Sequence, residues 1–263
     1  MSTLSLAARD SATMLRRNLR HAIRYPSLTV GVAGLPIIFL LLFVYVFGGA
    51  LGAGIGGMRG GRTEYLSYIT PGIILMTIAS GVLMTAVSVS VDMTEGIIDR
   101  FRTMAISRAS LLTGHVIGSM ITTMVSTTIV IGIALALGFR PDAGPLGWVA
   151  VIGVLTMVTF ALTWLAVALG VFAKTPESAS NLPLPLQILP MMGSGFVPTD
   201  SMPSGLRWFA QYQPFTPMIE TLRGLLTGSP ISHSAAVSAA WCAGITLVGY
   251  VWAKTRFNRG RAR

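Results

Sequence analysis

The chain has 263 residues, of which 52% are hydrophobic and only 11% charged, and its mean hydropathy is +0.70. A soluble domain carries about a quarter charged residues, so this chain cannot cover a water-facing surface and is placed in a bilayer. Its net charge of +10 does not point to nucleic acid, because the basic residues gather at the two ends and beside apolar runs rather than on a face interleaved with aromatics.

Residues 1–27 are read as a cytoplasmic N-terminus. The opening MSTLSLAARDSATMLRRNLRHAIRYP is too polar for a cleavable signal peptide, and no small-residue cleavage site follows a short apolar core. Within it, Leu4, Ala8, Leu15, Leu19 and Ile23 recur near helical spacing, while Arg9, Arg16, Arg17, Arg20 and Arg24 fall mostly elsewhere around the helix. That pattern predicts an amphipathic helix lying in the headgroup plane, arginines toward phosphate. The plainer alternative is a solvated basic tail, which orients the protein in the same way.

Six charge-free stretches follow: Leu28 to Ala50, Tyr65 to Val91, Ser110 to Phe139, Leu146 to Ala173, Leu182 to Val197 and Ser234 to Ala253. A spanning helix needs roughly 20 apolar residues. The fifth stretch is short and interrupted by Pro183, Pro185 and Pro190, yet an even number of crossings requires it if both ends face the cytoplasm. The positive-inside rule supports that orientation: Arg9 to Arg24, then Arg100, Arg102, Arg108 and Lys174, then Lys254 to Arg263 all fall on one side. The expected fold is therefore an all-α membrane protein with a six-span domain over 28–253 and a basic cytoplasmic tail over 254–263. Such a chain belongs in the inner or plasma membrane, and the excess of arginine over lysine in an Ala- and Gly-rich chain hints at a bacterium.

The outer region 198–233 contains Trp208, Phe209, Tyr212, Phe215, Leu222, Leu225 and Leu226, broken by Pro203, Pro214 and Pro217. Aromatics of this kind sit at a membrane interface. Short re-entrant helices between spans five and six are expected, their backbone shielded by protein where they enter the bilayer. A flexible loop would leave the same apolar surface in water.

Between spans two and three lies an island of charge, over 92–109. Its core, DMTEGIIDRFRTMAISR, holds Asp92, Glu95, Asp99, Arg100, Arg102 and Arg108. Asp92 followed by Glu95 has the spacing of a capping box, and acids before arginines complement a helix dipole. Ile97, Phe101 and Met104 form one apolar edge. So short a helix is marginal alone in water, so that edge seeks either a groove in a partner or neighbouring loops, and the residues by themselves do not decide between the two.

Other chemistries are poorly represented. The phosphate-loop pattern G-x-x-x-x-G-K-[ST] is absent, and Gly52-Ala53-Gly54-Ile55-Gly56-Gly57, though it satisfies G-x-G-x-x-G, follows a span and not a strand. It is expected to be a mobile extracellular turn. His21, His115 and His233 are too scattered to hold a metal, and His115 is read as a packing residue, like Cys242. No catalytic constellation appears. With no acid pair placed mid-membrane, neither an intramembrane enzyme nor a proton-coupled pump is favoured. Gly114 and Gly118 suit close helix packing. Met76, Met84, Met120, Met124 and Met191 are candidates to line an adaptable apolar path, although such residues more often face lipid or neighbouring helices.

Glu95-Gly96-Ile97-Ile98-Asp99-Arg100-Phe101-Arg102, followed by Ile106-Ser107-Arg108, resembles the signature loop of ABC-2 type exporter permeases, in particular their daunorubicin-resistance branch. Pro36-Ile37-Ile38-Phe39 through Phe43-Val44-Tyr45-Val46-Phe47-Gly48-Gly49 is similar to that branch as well. So are Met202-Pro203, Pro214-Phe215-Thr216-Pro217 and Leu222-Arg223-Gly224-Leu225-Leu226-Thr227-Gly228. One departure is Met104-Ala105, where members often carry Leu-Pro. The resemblance implies a coupling helix in the first cytoplasmic loop, re-entrant helices after span five and a separate ATPase that binds ATP and Mg and powers export. It implies that Glu95, Ile98, Asp99, Arg100, Phe101 and Arg102 meet that ATPase, with Phe101 as the plug, and that Lys174 to Glu177 form a lesser contact. The chain would work as a homodimer or beside a related permease, among membrane lipids, with no cofactor of its own. Hydrophobic or amphiphilic cargo, such as a drug, antibiotic or lipid, fits spans lacking central charge. An ion-gradient-driven secondary transporter is the alternative.

Overall fold

A computed structural model describes residues 26–56, 61–94 and 108–259, and every regular element among them is helical. That outcome follows from the apolar runs, because in hydrocarbon a segment must satisfy its own backbone groups and an α-helix does so internally. The N-terminal amphipathic segment, the charged island from Glu95 to Ser107 and the end of the basic tail lie outside the described residues.

The elements in order are α1 (Pro26–Leu42), a π-turn (Phe43–Phe47), α2 (Gly48–Gly56), α3 (Arg62–Thr94), α4 (Arg108–Ala136), α5 (Pro145–Phe172), α6 (Pro176–Asn181), α7 (Leu184–Met192), a 3-10 turn (Thr199–Ser201), α8 (Ser204–Tyr212), α9 (Phe215–Thr227) and α10 (Ser232–Arg259). Among the described residues, five helical stretches are long and apolar enough to cross a membrane: Val30–Gly52, Arg62–Thr94, Thr113–Ala136, Pro145–Phe172 and His233–Arg256.

The bundle is built around α3. Most of its apolar stretch is buried, 78% against 17% for α10, and it packs against α1, α2, α4, α5, α6, α7 and α9. At about 1.5 Å per residue its 33 residues reach roughly 50 Å, more than the ~30 Å hydrocarbon core. Its polar side chains fold back on its own backbone: Thr70, Thr77, Ser80 and Thr85 donate to the carbonyls of Leu66, Ile73, Met76 and Gly81. A hydroxyl satisfied in this way can be buried without a partner helix.

Close approaches set the neighbours. A Cβ on Gly170 would lie 2.6 Å from the Ala86 carbonyl oxygen, so α5 meets α3 backbone to backbone, and one on Gly249 would lie 2.8 Å from the Trp164 carbonyl carbon, so α10 meets α5 in the same way. Gly114 and Gly118 are both buried in α4. The turn expected at Gly52 to Gly57 is instead helical as far as Gly56. Gly52 lies against the backbone of Gly61, an approach that a Cβ would block.

The fifth expected span, Leu182 to Val197, is not one helix. Only α7, Leu184–Met192, is α-helical within it; α6 ends just before it at Asn181, and the chain beyond Met192 leaves the helix. Pro183 cannot donate a backbone hydrogen bond, so the ladder is interrupted there although Leu182 and Pro183 both keep right-handed helical angles, and Gly193 leaves α7 in an extended conformation. The broken segment nevertheless follows α3 in the antiparallel sense. Gln187 Nε2 reaches Ser80 Oγ at 3.4 Å, and further along Gly195 packs against Gly72.

Candidate functional site

Two places concentrate polar chemistry in this apolar bundle, one at each end of α3. The first is where α3 stops at Thr94 and α4 begins at Arg108, the two helices that flank the charged island. Asp92 belongs to the last turn of α3 and is buried, so it is not the N-cap expected for the island: the helix runs straight through it. His115 Nε2 lies 3.0 Å from Asp92 Oδ2, with both residues only 7% exposed. The histidine expected to be mere packing is therefore the partner of a buried acid. Beside this pair a small apolar cluster of Val89, Val116, Trp164, Val167, Ala168 and Ala253 joins α3, α4, α5 and α10, with Met93 and Met120 packed against it.

The same end carries further exposed charge. Lys174 and Glu177 stand at the start of α6, where the Thr175 side chain caps the helix by accepting from Ser178 N at 3.2 Å. The backbone amide of Glu177, with help from Thr175, holds the Glu177 carboxyl below the usual carboxylate range. Lys254 lies 5.6 Å from the Tyr250 ring and Arg256 5.0 Å from the Phe172 ring, the placement expected of cations whose stems cover apolar surface.

The second place is the break after α7. When Gly193 leaves the helix, the Leu189 carbonyl loses its acceptor role within it, and the Ser194 backbone has no ladder to join. A buried unpaired backbone group costs about as much as a lost hydrogen bond. Side chains from the α8–α9 corner take up these groups. Gln213 Nε2 donates to the Leu189 carbonyl at 3.1 Å and to Thr216 Oγ1 at 3.1 Å. Gln213 Oε1 accepts from Phe215 N at 3.2 Å, and Thr216 Oγ1 accepts from Ser194 N at 3.4 Å while donating to the Ala210 carbonyl. Arg223 closes the set. Its guanidinium donates to the Ser194 carbonyl and to the Tyr68 carbonyl of α3, and lies 3.9 Å from the centre of the Tyr68 ring.

The α8–α9 region is thus helical and anchored, not a loop. Trp208 and Tyr212 are exposed on α8 with their rings tilted against each other, centres 5.5 Å apart, while Phe215, Met218, Ile219 and Leu222 of α9 enter the core. Gly228, at φ +71°, ends α9 in the left-handed conformation that favours glycine. A pocket of about 420 Å³ opens here among Glu64, Ser67, Tyr68, Arg140, Asp142 and Arg223.

The five methionines do not gather at one point. Met76 is enclosed in the core and Met191 packs against it. The Met84 methyl touches α1 at Gly31. Met120 and Met124 alone share a groove, about 410 Å³ in volume, with Val125 and Ile129 on α4. Glu95, Ile98, Asp99, Arg100, Phe101 and Arg102 lie outside the described residues.

A long buried helix with a charged loop at one end and a proline-broken segment returning along it is consistent with a transport subunit, and the comparison with known families decides the matter. Residues 10–227 match the ABC-2 type transporter family. The chain belongs to that family. It is a multi-pass membrane protein and the membrane permease of an ABC-2 type transporter, homologous to drug-resistance exporter permeases. It is similar to a daunorubicin resistance ABC transporter permease protein of Streptomyces coeruleorubidus, 30% identical over 224 residues, covering 85% of this chain and 77% of that one. It is also similar to a probable doxorubicin resistance ABC transporter permease protein of Mycobacterium tuberculosis, 25% identical over 219 residues, covering 83% and 77%. A more distant relative, ABC transporter G family member 20 of Dictyostelium discoideum, is 23% identical over 172 residues, covering 63% of this chain and 23% of that one.

In this permease the sequence reading found the island but missed the polar sets at its base and at the break. Asp92 and His115 carried a signal, being ionisable groups at facing ends of consecutive spans. Arg223 carried one too, as a cation inside an apolar run.

Proposed function

We propose that this permease exports hydrophobic or amphiphilic cargo across the plasma membrane of a bacterium, driven by a separate ATPase that docks on Glu95 to Arg102, within loop 92–109. The observation that carries this is mechanical: the island hangs directly from α3, the most enclosed helix of the bundle. A push on the island reaches nearly every other helix through that one element.

In this scheme both termini are cytoplasmic, and the segment from α6 through α7 completes a sixth crossing in broken form. Helices α8 and α9 re-enter from the outside, with Gln213, Thr216 and Arg223 shielding the backbone freed at membrane depth. Glu95, Ile98, Asp99, Arg100 and Arg102 supply polar and apolar contacts to the ATPase, Phe101 inserts as an anchor, and Lys174 with Glu177 adds a lesser contact. ATP and Mg are held by the partner. The first relatives' names, which speak of daunorubicin and doxorubicin resistance, support cargo of that chemical kind. The apolar faces left open on α1, the π-turn and α10, among them Ile38, Tyr45, Val46, Trp241 and Val248, suit lipid and a second permease copy. Met120 and Met124, in their groove on α4, are the path candidates best placed to meet cargo; Met76, Met84 and Met191 would act from within the packing.

Affinity purification of the chain, co-expressed with its genomic neighbours, tests the docking. A phosphate-loop ATPase retained in stoichiometric amount, and lost with Phe101→Ala, is the expected result. A chain that purifies without any ATPase contradicts it.

A further inference from the structure

The Asp92–His115 pair is unusual in its setting. A buried ionisable side chain in a membrane bundle is costly, and well-packed apolar residues of similar volume are often neutral or stabilising in its place. What a buried polar pair can add is a defined geometry, since its groups are satisfied in one arrangement and penalised in others. The geometry held here is the distance between the last turn of α3 and the beginning of α4, across the base of the island.

Two further observations give that distance consequences. Val89 and Met93 beside Asp92, and Val116 beside His115, belong to the apolar cluster that also takes in Trp164 and Val167 of α5 and Ala253 of α10. Higher up, α3 and α4 are again in tight contact, with Gly81 pressed against the Thr123 side chain. The two helices are therefore pinned at the loop and again further along, so a displacement entering at the island cannot be absorbed by splaying its two supports.

We propose that Asp92 and His115 form a clasp that makes α3 and α4 respond as one body when the ATPase acts on the island. They are positioning residues for coupling and not part of the docking surface itself. This rests on the export function proposed above, and adds to it the residues through which docking becomes motion. Without the clasp the island still binds the ATPase, but its movement is spent in opening the hairpin instead of tilting the bundle.

The test uses the permease–ATPase complex reconstituted in phospholipid vesicles and measures the increase in ATP hydrolysis that the permease elicits per bound ATPase. Asp92→Asn, His115→Gln, the double variant, and the exchange of Asp92→His with His115→Asp are compared. Each single variant is expected to keep the ATPase bound while the stimulation falls about tenfold, within the range for coupled contacting residues. The double variant should lose no more than either single one, and the exchange should recover most of the stimulation.

A merely structural role would lower thermal stability and leave the stimulation per folded complex unchanged. That result, or losses in the two single variants that simply add in the double, overturns the clasp. The additivity test holds even if the exchanged pair does not fold. Failure of the wild-type permease to retain an ATPase at all would instead overturn the docking on which the clasp depends.

Discussion

Gly72 of α3 and Gly195, just beyond the α7 break, meet backbone to backbone: a Cβ on Gly72 would stand 2.7 Å from the Gly195 carbonyl oxygen. This contact lets a segment without continuous helix lie against the central helix at bundle depth. Gly72→Ala should therefore force the broken segment away and destabilise the permease by about 1–3 kcal/mol, the range for overpacking. Gly132→Ala on α4, where a new Cβ meets open space, should cost nothing or gain slightly from helix propensity. Thermal unfolding of the two purified variants in the same detergent distinguishes them.

Arg223 holds the outer corner to both the break and α3. Arg223→Met leaves the Ser194 carbonyl buried without its donor and should cost about 1–3 kcal/mol. Arg223→Lys keeps the charge but loses the planar fork that serves two carbonyls and the Tyr68 face together, so it should recover only part of that stability. Unfolding midpoints in the order wild type, Lys, Met are expected; equal midpoints for all three would remove Arg223 from the account of the break.

The long helices were legible because periodicity is unimportant in a lipid-facing run and length alone marks it. The broken segment was harder to place. Pro183, Pro185 and Pro190 announce a break, yet nothing local says that Gln213 and Thr216 will receive the freed backbone groups, since those contacts bridge 22 to 24 residues of separation. Asp92 was misread for a related reason. Its spacing to Glu95 has the form of a cap, but burial against His115 from the next span keeps it inside α3. Pairing across helices is set by packing, and packing is written in the whole bundle rather than in any one stretch.

Gln213 is the second support of the break. Gln213→Leu removes the donor to Leu189 and the acceptor of Phe215 N at once. Two buried backbone groups then lack partners, so the expected loss is about 2–4 kcal/mol, more than for Arg223→Met. Amide hydrogen exchange should rise over α7 and the start of α9 while remaining slow in the centre of α3. Uniform exchange throughout would contradict a local role.

Charge reversal in the island separates docking from folding. Asp99→Lys or Arg102→Glu places like charge where complementary contacts are proposed, and truncation or reversal at a desolvated charged contact costs about 2–5 kcal/mol of binding. Export should fall at least about 30-fold while the variant remains in the membrane at wild-type abundance, as membrane fractionation beside a transport assay would record. Undiminished export by the reversed variants would exclude these side chains from coupling.

The most direct test of the export function is the energy source. The permease, purified with its ATPase, is placed in liposomes and movement of fluorescent daunorubicin is followed with ATP, with ATP and vanadate, and with an imposed proton gradient alone. Cargo movement that requires ATP hydrolysis, stops with vanadate and ignores the gradient is the predicted result. Movement that follows the gradient in the absence of ATP would contradict an ATP-driven exporter and make the chain a secondary transporter.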